Sequence, residues 1–450
     1  MPQILLLGAG FVAGPCLDYL LRRPENNITV ACRTLEKATE LVGGRDRCKA
    51  TSLDVKNADA LLEAVSQHDL VISLIPYTYH PLVIEAAIKA QKHFVSTSYV
   101  SPTMAGYDQA AKDAGITVMN EIGVDPGIDH LYAKQIIDKV HAEGGKIDHF
   151  TSFCGGLPAP EASNNPLGYK FSWSARGVLL AAGNTARWIE DGQVKEVKSP
   201  ELLTPAAVRE VPIYPAFAFE GYPNRDSTPY PERYGIPEAK TVLRGTLRYK
   251  GNPAFVKALA DVGFLNDDAQ PFLQESSPAI AWCAVMARLL ECGESEEELE
   301  AAFVKKAQLA DSADRARIVA GMKWFGLFAS EDVPRKSSLL DSLAEHLAIK
   351  LKYQPGERDM IMMQHKFHVT RSSGKQEIIT STMLEYGIPH GATAMARTVG
   401  IPCGMAVQLV LDGKITKKGV FAPLTPDIYE PLIQQLEAEG ICCKEELALI

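Results

Sequence analysis

An apolar run, Gln3-Ile4-Leu5-Leu6-Leu7, passes directly into Gly8-Ala9-Gly10-Phe11-Val12-Ala13-Gly14, and a helical pattern follows. A strand that ends in a glycine turn and opens a helix points to parallel β-α-β winding, because a parallel neighbour strand needs a crossover connection. The spacing G-x-G-x-x-A also has a ligand meaning. Gly8 permits the tight turn and Gly10 lets a phosphate approach the backbone. Ala13 and Gly14 are expected to let the helix lie close on the strand. The unpaired N–H groups at the helix start, with the positive end of its dipole, suit a dinucleotide pyrophosphate.

The alternation continues through the N-terminal region. Strands are predicted over 3–7, 28–32, 48–52, 70–74, 93–96 and 116–119, with helices between them. Asn57 is placed to cap one helix, and Pro81 sits in the first turn of another. This pattern is that of a doubly wound parallel sheet. The 450 residues exceed what one core normally supports, so further domains are expected. From about Asp125 the period changes. Strands are predicted over 148–155, 208–220 and 240–249, and a β-hairpin over 359–369 and 375–384 turns at Ser372-Ser373-Gly374. The stretch 271–349 reads as helical, with its acidic run 294–300 as a solvated helix face. Residues 391–411 are rich in Ala, Met and Val at helical spacing. That helix is expected to be interrupted at Pro402 and Gly404, and to return onto the first domain.

The fold class is therefore α/β: a Rossmann-type doubly wound parallel sheet plus a second α/β domain with a mixed or antiparallel sheet and an all-helical insertion. The expected organisation is a nucleotide-binding domain over 1–125, with 391–450 returning to it. A substrate and dimerisation domain covers 126–270 and 351–390, and a helical domain 271–350.

Bulk properties exclude other classes. The net charge of −9 argues against a general nucleic-acid or anionic-membrane surface. The longest apolar stretch, around 279–290, contains Arg288 and is too short to span a bilayer. The N-terminus reads as a strand, with no basic leader. Nine scattered cysteines, two of them the adjacent Cys442 and Cys443, fit reduced thiols in a cytoplasmic protein. No metal site is expected: His130, His365 and His368 lack a ligand pattern.

The end of the second strand selects the dinucleotide. An acidic residue there would accept from a ribose 2′-hydroxyl; this chain has Cys32-Arg33-Thr34. Arg33 can hold a 2′-phosphate through two N–H groups and Thr34 can add a hydroxyl, so NADP(H) is expected. The alternative is a surface Arg33, with Glu36 on the ribose. Other strand ends should complete the cradle. Asp54 and Val55 follow the third strand and Ile75 the fourth. Thr97, Ser98 and Tyr99 follow the fifth, and Val124, Asp125 and Pro126 come after the sixth.

Three further stretches carry aromatic and cationic residues: 164–177 with Trp173 and Arg176, 221–226 with Arg225, and 243–249 with Arg244 and Arg248. Arginines at loops and strand ends suit carboxylate capture. For Arg176 and Arg248 a surface ion pair is the preferred reading.

The chain resembles the saccharopine reductase family, the glutamate-forming saccharopine dehydrogenases. The resemblance rests on GAGFVAGP at the start, CRTLEKA after the second strand, GVDPGIDH from Gly123, GYKFSWSARGVL from Gly168 and ATAMARTVGIP from Ala392. It implies NADPH-dependent condensation of L-glutamate with 2-aminoadipate 6-semialdehyde to give saccharopine, in a homodimer. It implies NADP(H) contacts at Gly8, Gly10, Phe11, Val12, Ala13, Gly14, Arg33, Thr34, Asp54, Val55, Ile75, Thr97, Val124 and Pro126. Saccharopine contacts would fall on Ser98, Tyr99, Asp125, Cys154, Trp173, Arg225, Arg244, Gly245 and Thr246. For proton transfer at the carbinolamine, Asp125, Cys154 and Tyr99 remain candidates. Two other functions stay open: a related reductase acting on another amine and aldehyde, such as a carboxynorspermidine-type enzyme, and a non-catalytic NADP-binding redox sensor.

Overall fold

The computed structural model describes residues 1–199, 201–309 and 313–449. Contacts divide it into two compact units. The first comprises Met1–Gly145, Arg371–Lys375 and Gly391–Glu445; the second comprises Lys146–Thr370, Gln376–His390 and the residues from Glu446. The first unit thus runs past Asp125 to include the helix Ile128–Ala142.

The first unit begins with β1 (Gln3–Leu7), α1 (Ala13–Leu21), β2 (Asn27–Cys32), α2 (Leu35–Val42), β3 (Cys48–Ser52) and α3 (Ala58–Ser66). It continues with β4 (Leu70–Ser73), α4 (His80–Ala90), β5 (His93–Ser96), two short helices and β6 (Thr117–Met119). Asn57 accepts a hydrogen bond from the Ala60 N–H at 3.1 Å and caps α3, and Pro81 lies in the first turn of α4. The sheet order is Gly419–Phe421, β6, β5, β4, β1, β2, β3, and every pairing is parallel. Residues such as Ile4, Leu5, Leu6, Val71 and Ile72 are fully buried. Helices cover both faces, so these strands read as unbroken apolar runs rather than alternating ones. The strand order reverses between β1 and β4, which opens a crevice at the carboxyl ends of the strands.

The late helix spans Ala394–Leu411 without a break, with Pro402 inside it. It is long and apolar enough to cross a bilayer, yet it is mostly buried within the protein. It lies against α1. A Cβ on Gly400 would come within 2.5 Å of the Val12 carbonyl oxygen, and one on Gly404 within 3.0 Å of the Tyr19 ring. Proline removes one backbone hydrogen bond, and the close helix–helix contact that the glycines permit outweighs that loss. Hence the expected interruption does not occur.

The second unit is built on a nine-stranded mixed sheet. Its main path runs Arg209–Glu210, Phe219–Pro223, Thr241–Tyr249, Lys146–Pro158, Asp359–Thr370, Gln376–Tyr386 and Lys444–Leu449, with Ala186–Glu190 and Gln193–Val197 to one side. Lys146–Pro158 pairs parallel with Thr241–Tyr249 and antiparallel with Asp359–Thr370. The hairpin forms as expected, with Gly374 at φ +81°. The single strand predicted over 208–220 is instead two short strands. Pro212 and Pro215 supply no N–H to a ladder and separate them.

The helical stretch forms Trp282–Leu290, Glu296–Lys306, Arg315–Trp324 and Leu339–Lys350. These helices share one core with the sheet, in which Trp282, Phe303 and Leu343 join Leu243, Leu247 and Met360. The acidic run is a solvated face: Ser295 caps its helix, and Lys323 pairs with Glu296 at 2.7 Å and Glu300 at 2.8 Å. All nine cysteines are free thiols.

Candidate nucleotide and substrate site

Gly8 has φ +107°, and a Cβ there would lie 2.7 Å from the Leu74 carbonyl oxygen. Only glycine satisfies both demands. At Gly10 no atom lies within 4 Å of where a Cβ would stand, so the loop leaves open space in front of the first turn of α1. No side chain caps that turn: Val12 is the N-cap and provides no acceptor. Phe11 is exposed and Ala13 is fully buried. Open space beside a glycine and an uncapped helix start fit a pyrophosphate. Gly14 does not serve strand packing as expected, because its nearest neighbour would be Leu41 on α2, at 3.9 Å.

Arg33, Thr34 and Glu36 are exposed at the carboxyl end of β2. Arg33 forms no ion pair among the described residues. Thr34 is the N-cap of α2, but its hydroxyl makes no capping bond, so it too is left for a ligand. A free guanidinium and a free hydroxyl side by side fit a 2′-phosphate. Asp54 accepts from the Lys56 N–H at 3.0 Å in an exposed turn. Val55 is buried, and Ile75 lies against Gly8.

The loops after β5 and β6 meet. The Tyr99 hydroxyl donates to Asp125 Oδ1 at 2.6 Å. The Asp125–Pro126 peptide is cis. Gly127 has φ +149°, and a Cβ there would collide with the Gly123 backbone. Thr97 lies beside Gly123, and Val124 is buried.

A buried network that the sequence reading missed stands behind these loops. Glu121, Asp129 and His130 are all fully buried. Glu121 accepts from the Val100 N–H at 2.9 Å and meets His130 Nε2 at 2.7 Å. His130 Nδ1 lies 3.3 Å from Asp129, which accepts from the Gly127 N–H at 2.5 Å. The network therefore joins the backbone N–H of Val100, next to Tyr99, to that of Gly127, two residues past Asp125. A second missed residue, His80, is fully buried between Ser73 Oγ and Ser98 Oγ, each at 2.9 Å. Burial pushes its pKa down to about 4. The available signal was ionisable residues inside otherwise apolar stretches, such as Glu121 and Asp129 around GVDPGI.

In the second unit, Cys154 pairs in register with Thr246, and Ser152 with Arg244. Alternation places all four on one sheet face. Arg244 is buried, stacked 4.4 Å over the Tyr230 ring and donating to the Tyr230 hydroxyl. Gly245 is held by packing, since a Cβ there would overlap the Phe153 ring. Arg225 is exposed at φ +55° beyond Phe219–Pro223. Trp173 is partly exposed and hydrogen-bonds Tyr169.

The two arginines read as surface ion pairs differ. Arg176 pairs with Asp341 at 2.6 Å and Asp267 at 2.7 Å. Arg248 forms no ion pair among the described residues. It is buried, lies 4.8 Å over the Tyr169 ring and donates to the Leu247 carbonyl at 2.7 Å. Thr241–Tyr249 is buried along nearly its whole length on both faces, so Arg248 is enclosed, whereas Arg176 lies exposed in the first turn of its helix.

Comparison with known proteins gives the family. A family model described as the saccharopine dehydrogenase NADP binding domain matches residues 4–119, and the saccharopine dehydrogenase C-terminal domain matches residues 123–441. The chain is 53% identical over 451 residues to saccharopine dehydrogenase [NADP(+), L-glutamate-forming] of Schizosaccharomyces pombe, covering 99% of each chain. It is 41% identical to the mitochondrial alpha-aminoadipic semialdehyde synthase of Bos taurus, covering 98% of this chain and 47% of that protein. The solved apo saccharopine dehydrogenase (L-Glu forming) of Saccharomyces cerevisiae superposes with a TM-score of 0.91 at 47% identity, covering 100% of both chains. With its glycine turn, its free Arg33 and matches running along its whole length, the chain belongs to the saccharopine dehydrogenase family.

Proposed function

We propose that the protein is an NADP-dependent, L-glutamate-forming saccharopine dehydrogenase, acting in lysine biosynthesis through aminoadipate. The observation that carries this is the match to such an enzyme over 99% of both chains. In the synthetic direction the glutamate amine attacks the aldehyde of 2-aminoadipate 6-semialdehyde, and the carbinolamine loses water. NADPH supplies the hydride that reduces the resulting imine to saccharopine.

The chain's own residues would then bind, orient and move protons. On the first unit, Asp125 would exchange the proton at the carbinolamine oxygen. The Tyr99 hydroxyl, donating to Asp125 Oδ1 at 2.6 Å, holds that carboxylate in one orientation. Ser98 would donate to a substrate carboxylate. On the second unit, Arg225 and Arg244 would each hold a carboxylate, with Trp173, Gly245 and Thr246 shaping the contact surface. Cys154 is the second candidate proton carrier. Holding two substrates in one orientation lowers the barrier further. We read the enzyme as a cytoplasmic homodimer; the free thiols support a reducing compartment. Light scattering and cell fractionation test those two statements.

The decisive assay follows NADPH oxidation with 2-aminoadipate 6-semialdehyde, with and without L-glutamate. Glutamate-dependent oxidation that yields saccharopine is expected. Oxidation independent of glutamate, or dependent on another amine, would overturn this reading in favour of a related reductase. No turnover with NADPH binding intact would favour a redox sensor.

A further inference from the structure

His80 is fully buried at the start of α4, with Ser73 Oγ at 2.9 Å from Nδ1 and Ser98 Oγ at 2.9 Å from Nε2. The Phe94 ring lies edge-on to it at 6.0 Å. The three residues form a line from the core outward, since Ser73 is fully buried whereas Ser98 is half-buried at the end of β5.

The available acceptors set the direction of the hydrogen bonds along this line. Ser73 makes no other side-chain hydrogen bond among the described residues, so its hydroxyl hydrogen has one acceptor within reach, Nδ1. If Nδ1 carried the proton instead, the Ser73 hydrogen would be buried without an acceptor, which is costly. A neutral imidazole has one N–H, and burial keeps this one neutral, with its pKa at about 4. Nδ1 therefore accepts and Nε2 donates to Ser98 Oγ. The hydrogen of Ser98 is then free to point away from the protein, as a donor.

We propose that His80 is a positioning residue that locks the Ser98 hydroxyl as a hydrogen-bond donor towards a substrate carboxylate. The proposal rests on the reading of Ser98 as a substrate contact. It explains why a histidine is buried in an apolar setting between two serines. Serine alone can turn its hydroxyl either way, and a carboxylate rewards only one of the two orientations.

The test uses the full-length enzyme with Ser98→Ala, His80→Leu, His80→Gln and the Ser98→Ala/His80→Leu double variant. Readouts are kcat/KM for L-glutamate at saturating NADPH, and the NADPH Kd from fluorescence titration. Ser98→Ala and His80→Leu should each lower kcat/KM roughly tenfold, the double variant should fall no further, and the NADPH Kd should hold. His80→Gln, whose amide can donate to Ser98, should recover most of the loss. Multiplied losses in the double variant, or an unimpaired His80→Leu beside an impaired Ser98→Ala, would overturn the role of His80. An unimpaired Ser98→Ala would instead remove the reading of Ser98. If His80→Leu fails to fold, long-range 15N–1H correlation in the wild-type enzyme decides. An Nε2–H tautomer at His80 supports the proposal, and an Nδ1–H tautomer overturns it.

Discussion

Arg33 stands at the carboxyl end of β2 with no ion pair among the described residues, beside a Thr34 whose hydroxyl makes no capping bond. A guanidinium left unpaired there should discriminate between cofactors. Arg33→Glu should weaken NADPH by roughly 30- to 100-fold through loss of a charge-assisted pair and added repulsion, while NADH changes only a few-fold. Equal losses in titrations with the two cofactors would show that Arg33 does not read the 2′-phosphate. Asp125 makes a second residue-scale test. Asp125→Asn keeps an acceptor for Tyr99 but removes the proton-accepting carboxylate. If Asp125 carries the proton, kcat should drop about 100-fold or more with KM little changed. A raised KM with kcat preserved would reassign it to binding the substrate ammonium. Both residues were legible in the sequence because each follows a strand that ends in a crevice. His80 and Glu121 were not legible. Their partners lie 18 and 21 residues away in sequence and meet only once the parallel strands are aligned. Arg248 shows the same limit: it sits in a strand covered on both faces, and residue type says nothing of that cover.

At the scale of elements, the helix Ala394–Leu411 ties the end of the chain to its beginning. It crosses α1 so closely that Gly400 would meet the Val12 carbonyl at 2.5 Å if it carried a Cβ. Val12 is also the N-cap of α1, the helix whose start faces the open space beside Gly10. Overpacking at Gly400 should therefore act on cofactor binding as well as on stability. Gly400→Ala should destabilise by about 1–3 kcal/mol and raise the NADPH Kd several-fold. Gly404→Ala, whose nearest neighbour is the Tyr19 ring at 3.0 Å, should cost stability with a smaller effect on Kd. If thermal unfolding shifts in both variants and the Kd moves in neither, this helix does not set the cradle. The sequence showed the helical period and its return to the first domain. It suggested a break at Pro402 because local rules weigh proline heavily, and the tertiary contact that overrides it lies nearly 400 residues away in sequence, on α1. The strand predicted over 208–220 failed the other way. Pro212 and Pro215 could not join a ladder, so two short strands stand where one was expected.

At the scale of the molecule, burial pushes the pKa of five histidines down among the described residues. His68, His80 and His93 lie in the first unit, His346 and His368 in the second, and desolvation is the leading cause in each. In every case the folded pKa lies below the unfolded value, so the unfolded chain binds more protons at mildly acidic pH. Stability from these groups is complete above about pH 6.5 and is lost as pH falls towards the folded pKa. For His80 the window runs from 6.5 to about 4. Between pH 7 and pH 5 its share of the loss is about 2 kcal/mol. Denaturant unfolding at pH 7, 6 and 5 should therefore show a midpoint that moves steadily lower. His80→Gln removes one titrating group while keeping a polar side chain between the two serines. Its midpoint should fall less steeply with pH than that of the wild type, even where it is lower at pH 7. Parallel slopes for the two proteins would mean that His80 is not neutral in the folded state, and the donor orientation assigned to Ser98 would fall with it.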